Sequence, residues 1–90
     1  MKLTEAIRLF KKSEKYTVED DNDDYCWFMP NRKSKSTITL NGTDYAFDFN
    51  GGIVIDKEYE TINLPLVKVN GITVKTVEFF IVDIKTIEIK

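Results

Sequence analysis

Asn41-Gly42 limits how this chain can fold more than any other residue pair. Both central positions of a two-residue type I′ turn need positive φ, which Asn and Gly adopt at low cost, and such turns match the twist of antiparallel strands. Closing the hairpin there pairs Leu40 with Thr43, Ile38 with Tyr45 and Ser36 with Phe47. Ile38, Leu40, Tyr45 and Phe47 then share one face, while Thr39, Asp44 and Asp48 share the other. Turn chemistry and hydrophobic alternation specify the same register.

Two further turn signals extend the pattern. A three-residue loop at Asn50-Gly51-Gly52 pairs Phe49 with Ile53 and Phe47 with Ile55, which predicts a three-stranded meander over 37–56 and a charged connection at 57–61. Asn70-Gly71 joins 62–69 to the segment from 72 onward. Val67, Val69, Ile72 and Val74 share a face near this turn, and further out Ile62, Leu64 and Leu66 lie across from Val77 and Phe79 on the opposite face. The apolar set thus changes sides around Pro65, which cannot donate a ladder hydrogen bond, and a bulge or strong coil is expected there. The final segment, Val77 to Ile89, changes parity twice, as a strand bent round a barrel corner would.

Upstream, Leu3, Ala6, Ile7 and Phe10 fall at three- and four-residue spacings and predict an amphipathic helix over 3–12. Thr4 is a candidate cap, and Lys11, Lys12 and Lys15 sit near the C-terminal end, where the helix dipole favours cations. Tyr16 to Val18 starts a strand that runs into an acidic loop at 19–24. The unbroken run Tyr25-Cys26-Trp27-Phe28-Met29 reads as a central strand ended by Pro30. The predicted fold is therefore α+β: an N-terminal amphipathic helix packed on a strongly curved, mainly antiparallel sheet of about five to seven strands, or a partly open small barrel, in a single domain spanning 1–90.

Ninety residues are enough for one modest core, and 42% hydrophobic with 31% charged residues is the composition of a folded chain. The lone Cys26 allows no intramolecular disulfide. The charge-broken N-terminus resembles no signal peptide, and no apolar run could span a bilayer as a helix, so the expected location is cytoplasmic.

The missing residues narrow the chemistry. Without histidine, the chain lacks the usual general base near neutral pH and the commonest transition-metal ligand. Ser13, Ser34 and Ser36 lack a nucleophile-elbow context, and Cys26 lies in an apolar strand that favours an inert thiol. Asp20, Asn22 and Asp24 have the spacing of the first calcium-loop ligands. The pattern then fails, with Tyr25 where Gly is needed and Asn31 where a bidentate Glu is needed. Asp83-Ile-Lys85 and Glu88-Ile-Lys90 imitate a nuclease carboxylate–lysine pair without an upstream acid in the required setting. No catalytic residue, cofactor or metal is assigned.

Charge is local. The net charge is −2, but Glu19, Asp20, Asp21, Asp23 and Asp24 crowd one segment. They are the first candidates for binding a larger intracellular protein with a basic surface, because clustered carboxylates steer such a partner. Arg32, Lys33 and Lys35 follow the aromatic strand and, with Trp27, form an alternative site for an anion or nucleotide. The acidic balance argues against nucleic acid as the direct partner, and no membrane partner is expected. A third alternative is self-association by strand addition through Val77 to Ile89, so the chain is expected as a monomer or homodimer. In size, acidity and missing catalytic side chains the chain looks like the small inhibitors that phages and mobile elements direct against host defences. That likeness is one of composition, with no matching residues. The leading expectation is a non-enzymatic inhibitor or adaptor.

Overall fold

The structure, a computed structural model, describes residues 1–31, 36–47, 52–65, 67–69, 71–74 and 76–90. One helix, α1 (Leu3–Lys12), precedes ten short strands: β1 (Tyr16–Asp21), β2 (Tyr25–Pro30), β3 (Ser36–Leu40), β4 (Thr43–Phe47), β5 (Ile53–Asp56), β6 (Thr61–Leu64), β7 (Val67–Val69), β8 (Ile72–Val74), β9 (Val77–Phe80) and β10 (Ile87–Ile89). They form two antiparallel five-stranded sheets, in the orders β1-β2-β5-β6-β9 and β10-β3-β4-β7-β8. The expected single sheet of five to seven strands is thus corrected to two sheets. The ladders among the described residues close no barrel.

α1 falls on the predicted span. It buries Ala6 and Phe10, with Leu3 and Ile7 half-buried beside them, and touches both β1 and β10, the first strands of the two sheets. Phe10 meets the Tyr16 ring edge-on at 5.4 Å and the Phe28 ring at 5.3 Å. Truncating such a fully buried ring costs about 3–5 kcal/mol. Thr4 does not cap the helix. Lys2 occupies that position without a side-chain bond, its carbonyl accepting from the Ala6 N–H, and the N-terminal amine donates to the Ile84 carbonyl at 2.7 Å.

The hairpin at Asn41-Gly42 forms in the predicted register, with φ of 50° and 83° at the two turn residues. Ile38, Leu40 and Phe47 are buried, and Thr39 on the other face donates to the Asp44 carboxylate at 2.5 Å. Asn41 also anchors the chain that crosses between sheets. Its side-chain carbonyl accepts from Lys85 N–H at 2.7 Å, and its amide donates to the Asp83 carbonyl at 3.1 Å.

The predicted three-stranded meander is overturned. Phe49, Asn50 and Gly51 lie outside the described residues, but β5 pairs with β2 and β6 and not with β4, so the meander over 37–56 does not exist. β4, described to Phe47, belongs to one sheet, and β5, from Ile53, to the other. Gly52 leads into β5 with φ of 73°, so close to β2 that a Cβ there would lie 2.1 Å from the Phe28 carbonyl oxygen. β5 instead turns back on itself through 57–60, where Asp56 accepts from the Glu58 and Tyr59 N–H groups, both at 2.9 Å.

Among the described residues, the third hairpin keeps the same register on both sides of Pro65. Ile62 faces Phe79 and Leu64 faces Val77 in the first sheet, as expected, and Val67 faces Val74 and Val69 faces Ile72 in the second. Unchanged register means the change of side at Pro65 needs no inserted residue. The hairpin passes from one sheet to the other there, and Leu66 lies outside the described residues. Val77 to Ile89 is likewise not one strand. β9 ends at Phe80, a single 3-10 turn (Ile81–Asp83) sends Ile81 and Ile84 into the core, and β10 joins the other sheet.

Candidate functional site

The acidic segment is strand and turn, not a loop throughout. β1 continues past Val18 to Asp21, with a register shift between Val18 and Asp20 that accommodates Glu19. Asn22 organises the turn that follows: its side-chain oxygen accepts from Asp24 N–H at 2.9 Å and Tyr25 N–H at 3.0 Å, while its own N–H donates to the Tyr25 carbonyl. This is an Asx-type turn, in which a side chain replaces backbone partners.

The five carboxylates therefore have different roles. Asp20 lies opposite Trp27 and accepts from the Tyr25 hydroxyl at 2.9 Å. Asp21, the next residue, lies opposite Cys26, so the pair points to opposite sides of the sheet. Lys11 from α1 and Lys57 from the β5–β6 turn each approach an Asp21 oxygen to 2.7 Å. These hydrogen-bonded ammonium groups, Lys11 first and Lys57 second, hold the Asp21 carboxyl down to about 2. Lys11 is correspondingly raised, chiefly by its bond to Asp21. Lys57 also donates to the Asn22 carbonyl at 2.6 Å, and its backbone N–H to that of Asp24 at 2.8 Å. Asp21 is thus the joint between helix, first strand and a distant turn. Glu19, Asp23 and Asp24 are exposed, with no side-chain role in that joint.

The other candidates separate as well. Arg32, Lys33 and Lys35 lie outside the described residues. Trp27 is half-buried and pairs with Val54, on the face of β2 away from buried Cys26 and Phe28. Burial pushes the Cys26 thiol up, reinforced by the charge of Asp21, which disfavours a nucleophilic thiolate. Lys90 is drawn to Asp44 at 3.3 Å. Among the described residues, no group of three His, Cys, Asp or Glu side chains is placed to hold a metal ion, and no helix is long and apolar enough to cross a membrane.

Lys11 and Lys57 carry no sequence signal as partners of Asp21. Lys11 was visible only as a helix-end cation and Lys57 only as part of a charged connection. Sequence separations of 10 and 36 residues leave no local signature of either contact. Comparison with known protein families, curated proteins and solved structures finds no match.

Proposed function

We propose that this chain is a non-enzymatic binding protein that occupies a basic site on a larger protein through the acidic end formed by β1 and the β1–β2 turn. The observation that carries the reading is the division of labour among neighbouring carboxylates. Asp21 is neutralised internally by Lys11 and Lys57, whereas Glu19 is exposed on β1 and Asp23 and Asp24 are exposed on the turn that Asn22 organises. A set of exposed charges on an ordered turn accelerates encounter with a basic partner and disfavours acidic ones. The absent histidine and the buried, protonated Cys26 support a role without catalysis.

The test is capture of the tagged protein from its host lysate, in parallel with the triple substitution Glu19→Gln, Asp23→Asn, Asp24→Asn. A stoichiometric protein partner is expected for the wild type, with affinity falling at least tenfold in the variant and at 0.5 M salt, where charges are screened within a few ångströms. A partner whose affinity ignores both changes would remove this surface from consideration.

A further inference from the structure

The fold brings three distant segments to one corner of the first sheet. The β1–β2 turn and the β5–β6 turn are joined by the Lys57 N–H bond to the Asp24 carbonyl, and the β5–β6 turn meets the end of β9 through Ile81 N–H donating to the Glu60 carbonyl at 2.9 Å. Phe80 is paired with Thr61 at the same junction. Around it stand three large apolar side chains left in solvent: Tyr59 at 68% exposure, Phe80 at 57% and Val82 at 78%. Isolated exposed apolar residues are ordinary, but here three lie next in sequence to the two residues joined by the Ile81–Glu60 hydrogen bond, which concentrates apolar surface at one corner.

The rim is acidic. Residues 20–24 contribute four carboxylates, 56–60 three and 80–83 one, against a single lysine in those segments, Lys57, which Asp21 already holds. An apolar centre with a carboxylate rim excludes an acidic occupant and matches one that is both cationic and apolar. We infer that this corner is the docking surface for a basic amphipathic segment of a partner protein, its apolar side chains covering Tyr59, Phe80 and Val82 and its Lys or Arg side chains meeting Glu58, Glu60 and Asp83. This rests on the binding role proposed above and adds the chemistry of the partner's contacting segment.

The test uses two synthetic peptides of equal charge, one with Lys and Leu at amphipathic helical spacing and one with every Leu replaced by Gln. Each is titrated into the ¹⁵N-labelled protein and into the double variant Tyr59→Ser, Val82→Ser, whose exposed positions leave the core untouched. The Lys/Leu peptide should shift amides in 57–60 and 80–83, and its affinity should exceed that of the Lys/Gln peptide at least tenfold. The double variant should lose that tenfold advantage while keeping a native spectrum. Equal affinity for both peptides, shifts centred elsewhere, or an unaltered advantage in the double variant would overturn the inference. So would a wild-type dimer that the double variant dissolves, because the patch would then belong to a second copy. A lysate partner lost with the Glu19, Asp23 and Asp24 substitutions but retained by the double variant would remove this inference and leave the proposed function standing. A lysate partner lost with the double variant but retained by the Glu19, Asp23 and Asp24 substitutions would remove the acidic end from the proposed function and leave this inference standing. Retention by both variants would remove both.

Discussion

Asn41-Gly42 and Asn50-Gly51-Gly52 carry the same kind of local signal, and the chain uses them in opposite ways. The first closes a hairpin between adjacent strands, with Gly42 in open space at φ of 83°. Of the second, Gly52 is the described residue, and it is pressed against the β2 backbone at the entry to β5. A glycine at a turn and a glycine at a close approach look identical in a sequence, because both are simply the absence of a Cβ. What separates them is a neighbour from elsewhere in the chain.

That contrast sets the largest expected effect. In Gly52→Ala the new Cβ would lie 2.1 Å from the Phe28 carbonyl oxygen and 2.7 Å from the Met29 sulfur, at a φ of 73°. The sulfur is on a flexible side chain, but the carbonyl belongs to the central ladder, so β2 or β5 must shift. The expected loss is about 3 kcal/mol or more, measured as a lowered urea midpoint. Gly42→Ala meets nothing within 4 Å and carries only the left-handed conformational penalty, so about 1–2 kcal/mol is expected. Equal losses in the two variants would break the comparison and place both glycines in the same structural role.

The turn held by Asp21 extends the comparison from backbone fit to charge. Asp21→Asn should cost about 1 kcal/mol at neutral pH, since its two ion pairs are partly exposed and solvent screens them. A carboxyl held near 2 against an ordinary 3.8 contributes its stabilisation above the ordinary value and loses it as pH falls toward the lower one. Denaturant midpoints of wild type and variant should therefore differ at pH 7, converge between pH 4 and 2, and coincide below that. A gap unchanged across that window would mean that packing, not charge, holds the β5–β6 turn in place.

The smallest effect is expected at Tyr16. It is 7% exposed, its hydroxyl is buried without a well-formed hydrogen bond among the described residues, and that burial pushes its phenol well above the usual range. Its ring is what α1 uses, through Phe10. Tyr16→Phe keeps that ring and removes the desolvated oxygen, so stability should rise by about 0.5–1 kcal/mol. A loss of that size would assign the hydroxyl a bond to Ser36 or to water.

Short-range rules account for part of this architecture. Helix 3–12, the strand from Tyr25, the register of the first hairpin and the facing of Ile62 with Phe79 and Leu64 with Val77 all follow from short-range rules. Side-chain periods of 3.6 and 2 and the φ demands of Asn-Gly turns are properties of neighbouring residues, and the structure keeps them. The acidic cluster was legible as composition but not as geometry, because a run of carboxylates does not reveal which member a distant lysine will claim.

Elements, turns and local registers follow from the order of residues a few positions apart. Tertiary structure alone decided that β5 lies between β2 and β6, that the third hairpin and the C-terminal segment each pass between two sheets, and that Asp21 serves as a joint while Asp23 and Asp24 face solvent. It also assembled the corner of Tyr59, Phe80 and Val82 from turns far apart in the chain. The physical reason is the same in each case: strand partners and ion pairs are chosen by which apolar faces can be buried together. That choice is made over the whole core, not within any one stretch of chain.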